Sequence, residues 1–394
     1  MRALLCLFSL LLFTALTADA QSQDTPVFKL DTPNPTADKP QSKLWFMDGQ
    51  WWALLPKQNG PSLWQRTAKG WIEDSSIHQK LSGNPSRVDV WSTGNQVMAV
   101  GVGTNYLVVY KLLRQGNSWQ VDIVARLETP KDLKGNIESA TIVRDGSGYW
   151  WVASDFGDRL LVWSSSDGKN WEAAMELANG LHQDDISTLA IVPGGIGVIW
   201  SDQNQDAVKF RFHGDRERNW SEVSLIEQGN HTADDHLRAS TGDDGILWVA
   251  TKNSVDSVRK PQLVLRVRGI NGKWKNYPFA DLDVVKKPSR PAVFTVDGKR
   301  TVLLGYTIYD GVDTNLGEIK FGIVDTSKKS VLSELKTVIL PKSNSAKNTF
   351  RINDITGPKG SFPKDGPWII LASDQFGNIY EADLRSILGN DNKK

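Results

Sequence analysis

A pattern of four short strands joined by turn residues recurs along the chain at spacings of about 45 to 60 residues. It is clearest in the third unit, where residues 139–143, 149–153, 160–163 and 171–173 contain the β-branched and aromatic residues typical of strands. The segments between them are rich in Asp, Gly, Ser and Asn, which favour turns. A repeat of this length favours a ring or array of small sheets.

Seven such units are found. Their first strands, A, begin near Lys43, Arg87, Ser139, Ile186, Leu237, Pro291 and Ile352. Their second strands, B, cover residues 51–55, 97–102, 149–153, 197–200, 247–250, 302–306 and 368–372, and are as apolar as strands buried on both faces. We therefore predict an all-β, seven-bladed β-propeller with four-stranded blades. A set of β-sandwich domains is the alternative, but equal units without linkers suit a closed ring better.

The seventh unit lacks a fourth strand of its own, because the chain ends soon after residues 379–383. We expect residues 26–30 to supply it, since pairing the first strand with the last blade removes an open sheet edge. The predicted divisions are a closing strand and linker over residues 21–42, the propeller over 43–388, and a polar tail over 389–394. Residues 32–41, with three prolines, are interpreted as a connector into the first blade.

Residues 1–20 have the three parts of a secretory signal peptide: a basic start at Arg2, an apolar run over residues 3–16, and Ala18-Asp19-Ala20 before the cleavage point. The single cysteine, Cys6, lies inside the apolar run, so neither a lipid anchor nor a disulfide is expected in the mature chain. No later segment is long and apolar enough for a membrane span. We predict a secreted protein, extracellular or periplasmic, without a transmembrane anchor and monomeric.

Charge excludes one class of partner. The chain has 46 Lys and Arg against 45 Asp and Glu, a formal net charge of +1, which leaves no basic surface for bulk nucleic-acid binding.

Residues 165–171, Ser-Ser-Asp-Gly-Lys-Asn-Trp, resemble the Asp-box of sialidase-like propellers. In this motif the aspartate accepts backbone N–H groups of the turn and the tryptophan packs between sheets, so it stabilises a hairpin and performs no chemistry. Residues 184–187, 197–203 and 233–237, with Ser289-Arg290-Pro291, resemble a group of secreted bacterial propeller proteins. The two resemblances imply a fold and a source class, and no activity.

Charged residues collect where A strands begin. In this strand order the D–A connections and B–C loops open on one face, and groups of both signs converge there on the central channel, as in a pocket for a polar or anionic ligand. The candidate ligand-binding residues are Arg87, Asp185, Asp235, Arg238, Arg290, Arg351 and Asp354. The alternative interpretation is that these charges pair with each other. We predict that this face recognises a glycan or another polar or anionic ligand.

An enzyme acting on acidic polysaccharide, a lyase or a glycoside hydrolase, is the competing hypothesis. A lyase needs a cation beside the uronate carboxylate and a group that removes a proton, so His236 and Tyr306 are the candidate catalytic residues. Sialidase resemblance would use Arg87, Arg290 and Arg351, but the sequences around these arginines depart from the sialidase pattern.

The sequence also suggests two further sets of site residues. The pairs Asp184-Asp185 and Asp234-Asp235 are candidate Ca²⁺ ligands, because Ca²⁺ prefers oxygen ligands. Finally, Trp45, Trp52, Trp64 and Trp91 break the register of the repeat and are expected at the surface, where aromatic rings could stack on sugars.

Overall fold

The structure is a computed structural model that describes residues 23–131, 134–310, 317–332, 334–342, 351–352 and 354–389. Within these residues the strands form six four-stranded sheets and one three-stranded sheet, all with antiparallel neighbours. The predicted seven-bladed propeller is therefore confirmed. No helix among the described residues is long and apolar enough to cross a membrane.

The strands are given blade by blade in the order A to D. Blade one has β2 (Leu44–Met47), β3 (Gln50–Lys57), β4 (Gly60–Thr67) and β5 (Gly70–Asp74). Blade two has β6 (Val88–Thr93), β7 (Gln96–Val102), β8 (Tyr106–Gln115) and β9 (Ser118–Glu128). Blade three has β10 (Ile137–Arg144), β11 (Trp150–Phe156), β12 (Arg159–Ser165) and β13 (Met175–Asn179). Blade four has β14 (Ser187–Val192), β15 (Gly195–Asp202), β16 (Ala207–Gly214) and β17 (Ser224–Gln228). Blade five has β18 (Leu237–Thr241), β19 (Leu247–Lys252), β20 (Pro261–Arg268) and β21 (Trp274–Asp281). Blade six has β22 (Lys286–Thr295), β23 (Val302–Asp310), β24 (Gly317–Ile323) and β25 (Lys336–Ile339). Blade seven has β26 (Ile369–Ser373) and β27 (Asn378–Asp383), with β1 (Phe28–Lys29) at its outer edge. Two short helices, α1 (Ser75–Leu81) and α2 (Leu384–Leu388), follow β5 and β27.

Burial falls from the inner strands to the outer ones. Every residue of β11 and of β15 is buried, whereas β17 has a single buried residue, Ile226. This is why the B strands read as continuous apolar runs, since both faces pack against neighbouring blades.

The N-terminal strand closes the ring as predicted. Phe28 pairs with Ile379 in β27, and the amide of Leu30 donates to the carbonyl of Gly377 at 2.9 Å. The Phe28 ring stacks on Trp64 of blade one, with ring centres 4.5 Å apart. Gln23 also bridges to Ile339 at the edge of blade six. The segment therefore joins blades six, seven and one.

The A strand of blade seven is much shorter than the sequence predicts. The expected strand near Ile352 is reduced to one bridge, in which Thr356 and Leu371 exchange backbone hydrogen bonds of 2.8 and 2.9 Å. Pro358 and Pro363 follow closely. Since proline lacks the N–H that a ladder needs, the strand does not extend.

The turn at Asp167 has the hydrogen bonds expected of its sequence. Its carboxylate accepts the backbone N–H groups of Asn170 and Lys169, both at 2.8 Å. These bonds hold the pKa of Asp167 below its usual range. Gly168 has φ +73°, a conformation in which a side chain is strained.

Three of the four tryptophans expected at the surface are in the core. Trp45, Trp52 and Trp64 are at most 9% exposed, and Trp91 is half-buried. Trp45 and Trp52 both pack edge to face on Trp119, a residue of β9. The expectation of surface rings is therefore wrong for these three. Trp45 and Trp52 fill the space between blades one and two, whereas Trp64 packs with Phe28 on the side of blade seven.

The channel axis is filled by buried polar side chains. Asp89 is fully buried and accepts the backbone N–H groups of Ser42 and Ile142, each at 2.7 Å. The ammonium group of Lys359 also donates to Asp89. Three separate parts of the chain are therefore fastened to this one carboxylate.

Candidate functional site

Residues 31–42, here called the linker, cross the mouth of the central channel on the face of the D–A connections and B–C loops. The hydroxyl of Thr36 is hydrogen-bonded to that of Ser373 in blade seven, at 2.7 Å. The side-chain amide of Gln41 donates to the backbone carbonyl of Ala140 in blade three at 3.0 Å. Because its partners belong to blades on different sides of the ring, the linker spans the axis. The sequence indicated only a connector here.

The linker forms ion pairs with two of the predicted ligand-binding residues, Arg87 and Asp235. Asp38 forms ion pairs with Arg87 and, at 2.8 Å, with Lys43. Lys39 forms an ion pair with Asp235. The cavity left between the linker and His236, Arg290 and Asp354 is about 20 Å³, room for about one water molecule. The protein's own chain therefore closes the mouth of the channel.

Arg238 lies beneath the linker and is part of the channel packing. It is 6% exposed and donates to the carbonyls of Gln41, Ile355 and Gly357 at 3.2 to 3.3 Å, and to the Ser42 hydroxyl at 2.9 Å. Burial lowers the pKa of Arg238 to about 10. With its guanidinium so occupied, Arg238 holds the linker in place; ligand binding by this residue stays a prediction.

His236 lies between two carboxylates. Its Nδ1 is 2.9 Å from Asp234 and also contacts Asp235, while its buried Nε2 has no hydrogen-bond partner among the described residues. The carboxylate of Asp234 in turn forms an ion pair with the ammonium group of Lys252 at 2.8 Å. The ring is therefore fixed in orientation by groups on its own blade.

Asp234, Asp235 and His236 bring potential metal-ligand atoms within 4.8 Å of one another, so the Ca²⁺ site stays a prediction, but the carboxylates already have other partners. The ammonium groups of Lys252 and Lys39 occupy positions next to Asp234 and Asp235 where a cation would balance the charge. Asp185 accepts the backbone N–H groups of His182 at 2.8 Å and Gln203 at 3.1 Å, so its oxygens fasten a turn, and burial raises its pKa. The other member of that pair, Asp184, is exposed.

A second group of charges lies between blades six and seven. Arg290 is 3.2 Å from Asp354, and the guanidinium groups of Arg290 and Arg351 lie 5.4 and 4.9 Å from the ring centre of Tyr309. Arg290 has φ +49° within an irregular part of β22. Three of the predicted ligand-binding residues, Arg290, Arg351 and Asp354, are therefore brought together here. Arg87 lies elsewhere, at the start of blade two.

Tyr306 lies in the apolar layer between blades five and six. It is 7% exposed and packs in one cluster with Trp248, Leu265 and Phe279. Burial raises its pKa. Its role as a proton-transfer group stays a prediction, since its surroundings are those of a packing residue.

An open cleft of about 400 Å³ remains on this face between blades two and three. Arg87 and Glu138 line it together with Asp38 of the linker, the ion-pair partner of Arg87, and Thr104 and Asn136 add neutral polar groups. The side chains of Arg87 and Glu138 keep 37% and 35% of their surface exposed. Glu138 is 3.9 Å from Lys39, and burial raises its pKa. The cleft offers both a cation and a carboxyl group to a ligand.

Asp155, near the end of β11, is a buried carboxyl group close to the cleft, and its ionisation can be tested. It is 4% exposed, it accepts the Ser139 hydroxyl at 2.8 Å, and burial raises its pKa to about 7. The folded protein then holds a proton between about pH 4 and 7 that the unfolded chain has released, so this stability is present below pH 4 and is lost as the pH rises through 7. We expect Asp155→Asn to remove that loss, which amounts to at most roughly 1.4 kcal/mol per pH unit.

The measurement is urea unfolding at pH 5 and pH 8 of the wild type and of Asp155→Asn, with the exposed Asp122→Asn as control. The wild type and the control should lose more stability between the two pH values than Asp155→Asn. Equal losses in all three proteins would show that Asp155 is ionised throughout.

Sequence reasoning missed Asp38 and Lys39. The signal that was available is a charged pair placed directly before Pro40, in a segment that otherwise has few charges. Local sequence does not say which of the channel charges such a pair would meet.

The fold places the chain in the class of β-propellers, and comparisons with known proteins agree at that level. No family model and no curated protein matches the chain. A solved structure of the Aleuria aurantia lectin is similar to it, with 15% identity and a TM-score of 0.50, over 80% of this chain and 99% of the lectin.

Other solved structures are similar at lower TM-scores. The polysaccharide lyase Uly1 has 9% identity and a TM-score of 0.49, over 88% of this chain and 91% of the lyase. The NanB sialidase from Streptococcus pneumoniae has 15% identity and a TM-score of 0.40, over 71% of this chain and 49% of the sialidase. At these identities the likeness is one of fold alone.

Proposed function

We propose that this protein is an exported carbohydrate-binding propeller that recognises an acidic or otherwise polar glycan in the cleft between blades two and three. The observation that carries the proposal is the cleft itself. In this cleft a predicted ligand-binding arginine, Arg87, keeps about a third of its side chain exposed near the carboxyl group of Glu138.

The chemistry of the cleft suits a sugar acid. An arginine binds a carboxylate through paired N–H groups, and a carboxyl group, an amide and a hydroxyl can each hydrogen-bond sugar hydroxyls. The volume of about 400 Å³ falls in the range of small-molecule sites. The Aleuria aurantia lectin, solved with α-methyl-L-fucoside, is an example of a sugar-binding protein with a similar fold.

Arg87→Ala should weaken glycan binding tenfold or more, because the carboxylate loses a partly desolvated charge partner. The measurement is a screen of the wild type on immobilised acidic and neutral glycans, followed by calorimetry with the best ligand. Arg300→Ala, an exposed arginine in the A–B turn of blade six on the opposite face, is the matched control and should bind as the wild type does. Absence of any bound glycan, or equal affinity of Arg87→Ala and the control, would reject the cleft as the site.

An enzyme at the same face is the second candidate, favoured by the fixed ring of His236. A histidine held by carboxylates at Nδ1 and unpartnered at Nε2 has the arrangement of a general base. Incubation with acidic polysaccharides, followed by the ultraviolet absorbance of an unsaturated uronate, tests for lyase turnover. Product formed by the wild type and not by His236→Ala would convert the proposed binding protein into an enzyme.

A further inference from the structure

A second cavity, of about 460 Å³, opens on the opposite face of the ring between blades three and four. One wall is the A–B turn of blade three, residues 145–149, and the other is residues 213–218, the end of β16 and the start of the C–D turn of blade four. The cleft described above opens at the other ends of the strands. No candidate site residue predicted from the sequence lies here.

The inner wall of the cavity is aromatic and held rigidly. Trp151 packs on His213, with ring centres 4.6 Å apart, and edge to face on Trp220 at 5.6 Å. The indole N–H of Trp151 donates to Asp145 at 2.8 Å, and the same carboxylate accepts the amide of Tyr149 at 2.8 Å. The acid is thus used to fix the position of the aromatic wall, which is preformed before any ligand arrives.

His213 provides a buried polar group without a partner. It is 7% exposed and lines the cavity, and its Nδ1 has no hydrogen-bond partner in the part of the chain that is described. Burial lowers the pKa of the His213 imidazole despite the nearby Asp145, which favours the neutral ring. Buried polar atoms are normally satisfied, and a ligand hydroxyl in the cavity would satisfy this one.

The rim of the cavity combines apolar and charged groups. Tyr149 and Met175 are 44% and 48% exposed. Arg216, Glu217 and Arg218 are exposed, and none of them forms an ion pair within the described residues. Exposed aromatic surface next to unpaired donors and acceptors of both signs matches a ligand with an apolar ring face and several hydroxyl groups.

We propose that the cavity between blades three and four is a second carbohydrate-binding site, which takes one or two sugar units by stacking on Tyr149 and hydrogen bonding to His213 and the rim charges. This proposal rests on the proposed function for the class of its ligand, a carbohydrate. The location of the second site does not depend on it. The two sites lie on opposite faces, so one molecule can hold two glycan chains.

Histidine NMR can observe the two faces separately, because the chain has five histidines. In protein labelled with ¹⁵N-histidine, the His213 signal is assigned by its loss in His213→Phe, and His236 reports on the channel mouth. The probes are the methyl glycosides of glucose, galactose, mannose, fucose, N-acetylglucosamine and glucuronic acid, each titrated to about 50 mM, a range that detects millimolar binding.

We expect at least one glycoside to move the His213 signal saturably. Tyr149→Ala and Arg218→Ala should each raise the dissociation constant tenfold or more, whereas Arg87→Ala and Arg300→Ala should leave it within twofold. Variants are compared only after their melting temperatures match that of the wild type. If no glycoside moves the His213 signal, or if Tyr149→Ala and Arg218→Ala bind as the wild type does, the site is refuted.

The outcomes also separate this site from the cleft. A His213 response in a protein that shows no Arg87-dependent binding supports the second site and rejects the cleft. Arg87-dependent binding without a His213 response does the reverse.

Discussion

A chain that begins at Asp31 is expected to melt roughly 10 °C below one that begins at Gln23. The shorter chain loses the strand that completes blade seven, with the backbone hydrogen bonds from Val27 to Ile379 at 2.7 Å and from Leu30 to Gly377 at 2.9 Å. It also loses the burial of Leu30 and of the Phe28 ring on Trp64, each side chain contributing about 1.5 to 3 kcal/mol. One kcal/mol shifts the melting temperature of a domain this large by about 2 °C.

Calorimetry of both chains measures the shift, and sedimentation tests whether the bare edge of β27 pairs with another molecule. Lys29→Ala is the control, because Lys29 is exposed and its backbone can still pair with Asn378. It should melt within a degree or two of the wild type. A chain from Asp31 that is as stable and as monomeric as the longer chain would mean that the ring does not depend on its N-terminal strand.

Asp89→Ala is expected to lower the free energy of unfolding by about 3 to 5 kcal/mol, a large loss for a single substitution. Asp89 is fully buried and accepts two backbone N–H groups and the ammonium group of Lys359. Removing the carboxylate leaves the Lys359 charge in the channel without its main partner. Burial already lowers the pKa of Lys359, so its charged form depends on that pairing.

Urea unfolding of Asp89→Ala, Asp89→Asn and Asp122→Ala measures the effect. Asp122 is an exposed residue of β9, and its replacement should change the free energy of unfolding by less than about 0.5 kcal/mol. Asp89→Asn keeps an oxygen for the backbone N–H groups and loses the charge, so it should fall between the other two. A loss below 1 kcal/mol in Asp89→Ala would show that water or other groups replace the carboxylate.

The repeat carried most of the information about the fold. Strand A of blade five begins at Leu237 as predicted, and those of blades one, two and four begin one residue after the predicted starts. Strand patterns are local, since alternation and turn residues act within a few positions, and seven equal units can bury their faces only against each other. The closing strand could be inferred by counting strands, because the seventh unit lacks a fourth strand of its own.

The site was predicted less well, and its residues show why. The sequence predicted Arg87, Asp235 and Arg238 at the channel entrance; in the structure Arg87 and Asp235 pair with the linker and Arg238 is buried beneath it. It did not show that Asp38 and Lys39 meet Arg87 and Asp235 there, because these partners are 49 and 196 residues apart in the chain. Tyr306 likewise sits at the predicted strand position but on the face that packs against blade five.

The sequence by itself determined the number of blades, the order of their strands and the way the ring closes, since each depends on periodicity and on turn chemistry within a unit. Only the tertiary structure decided that the linker fills the channel mouth, that Arg238 and Asp89 fasten it, and that cavities remain open between blades two and three and between blades three and four. Those features depend on which side chains from distant units meet at the axis or between blades. Strand periodicity fixes the direction of a side chain, but the ring geometry selects its neighbours.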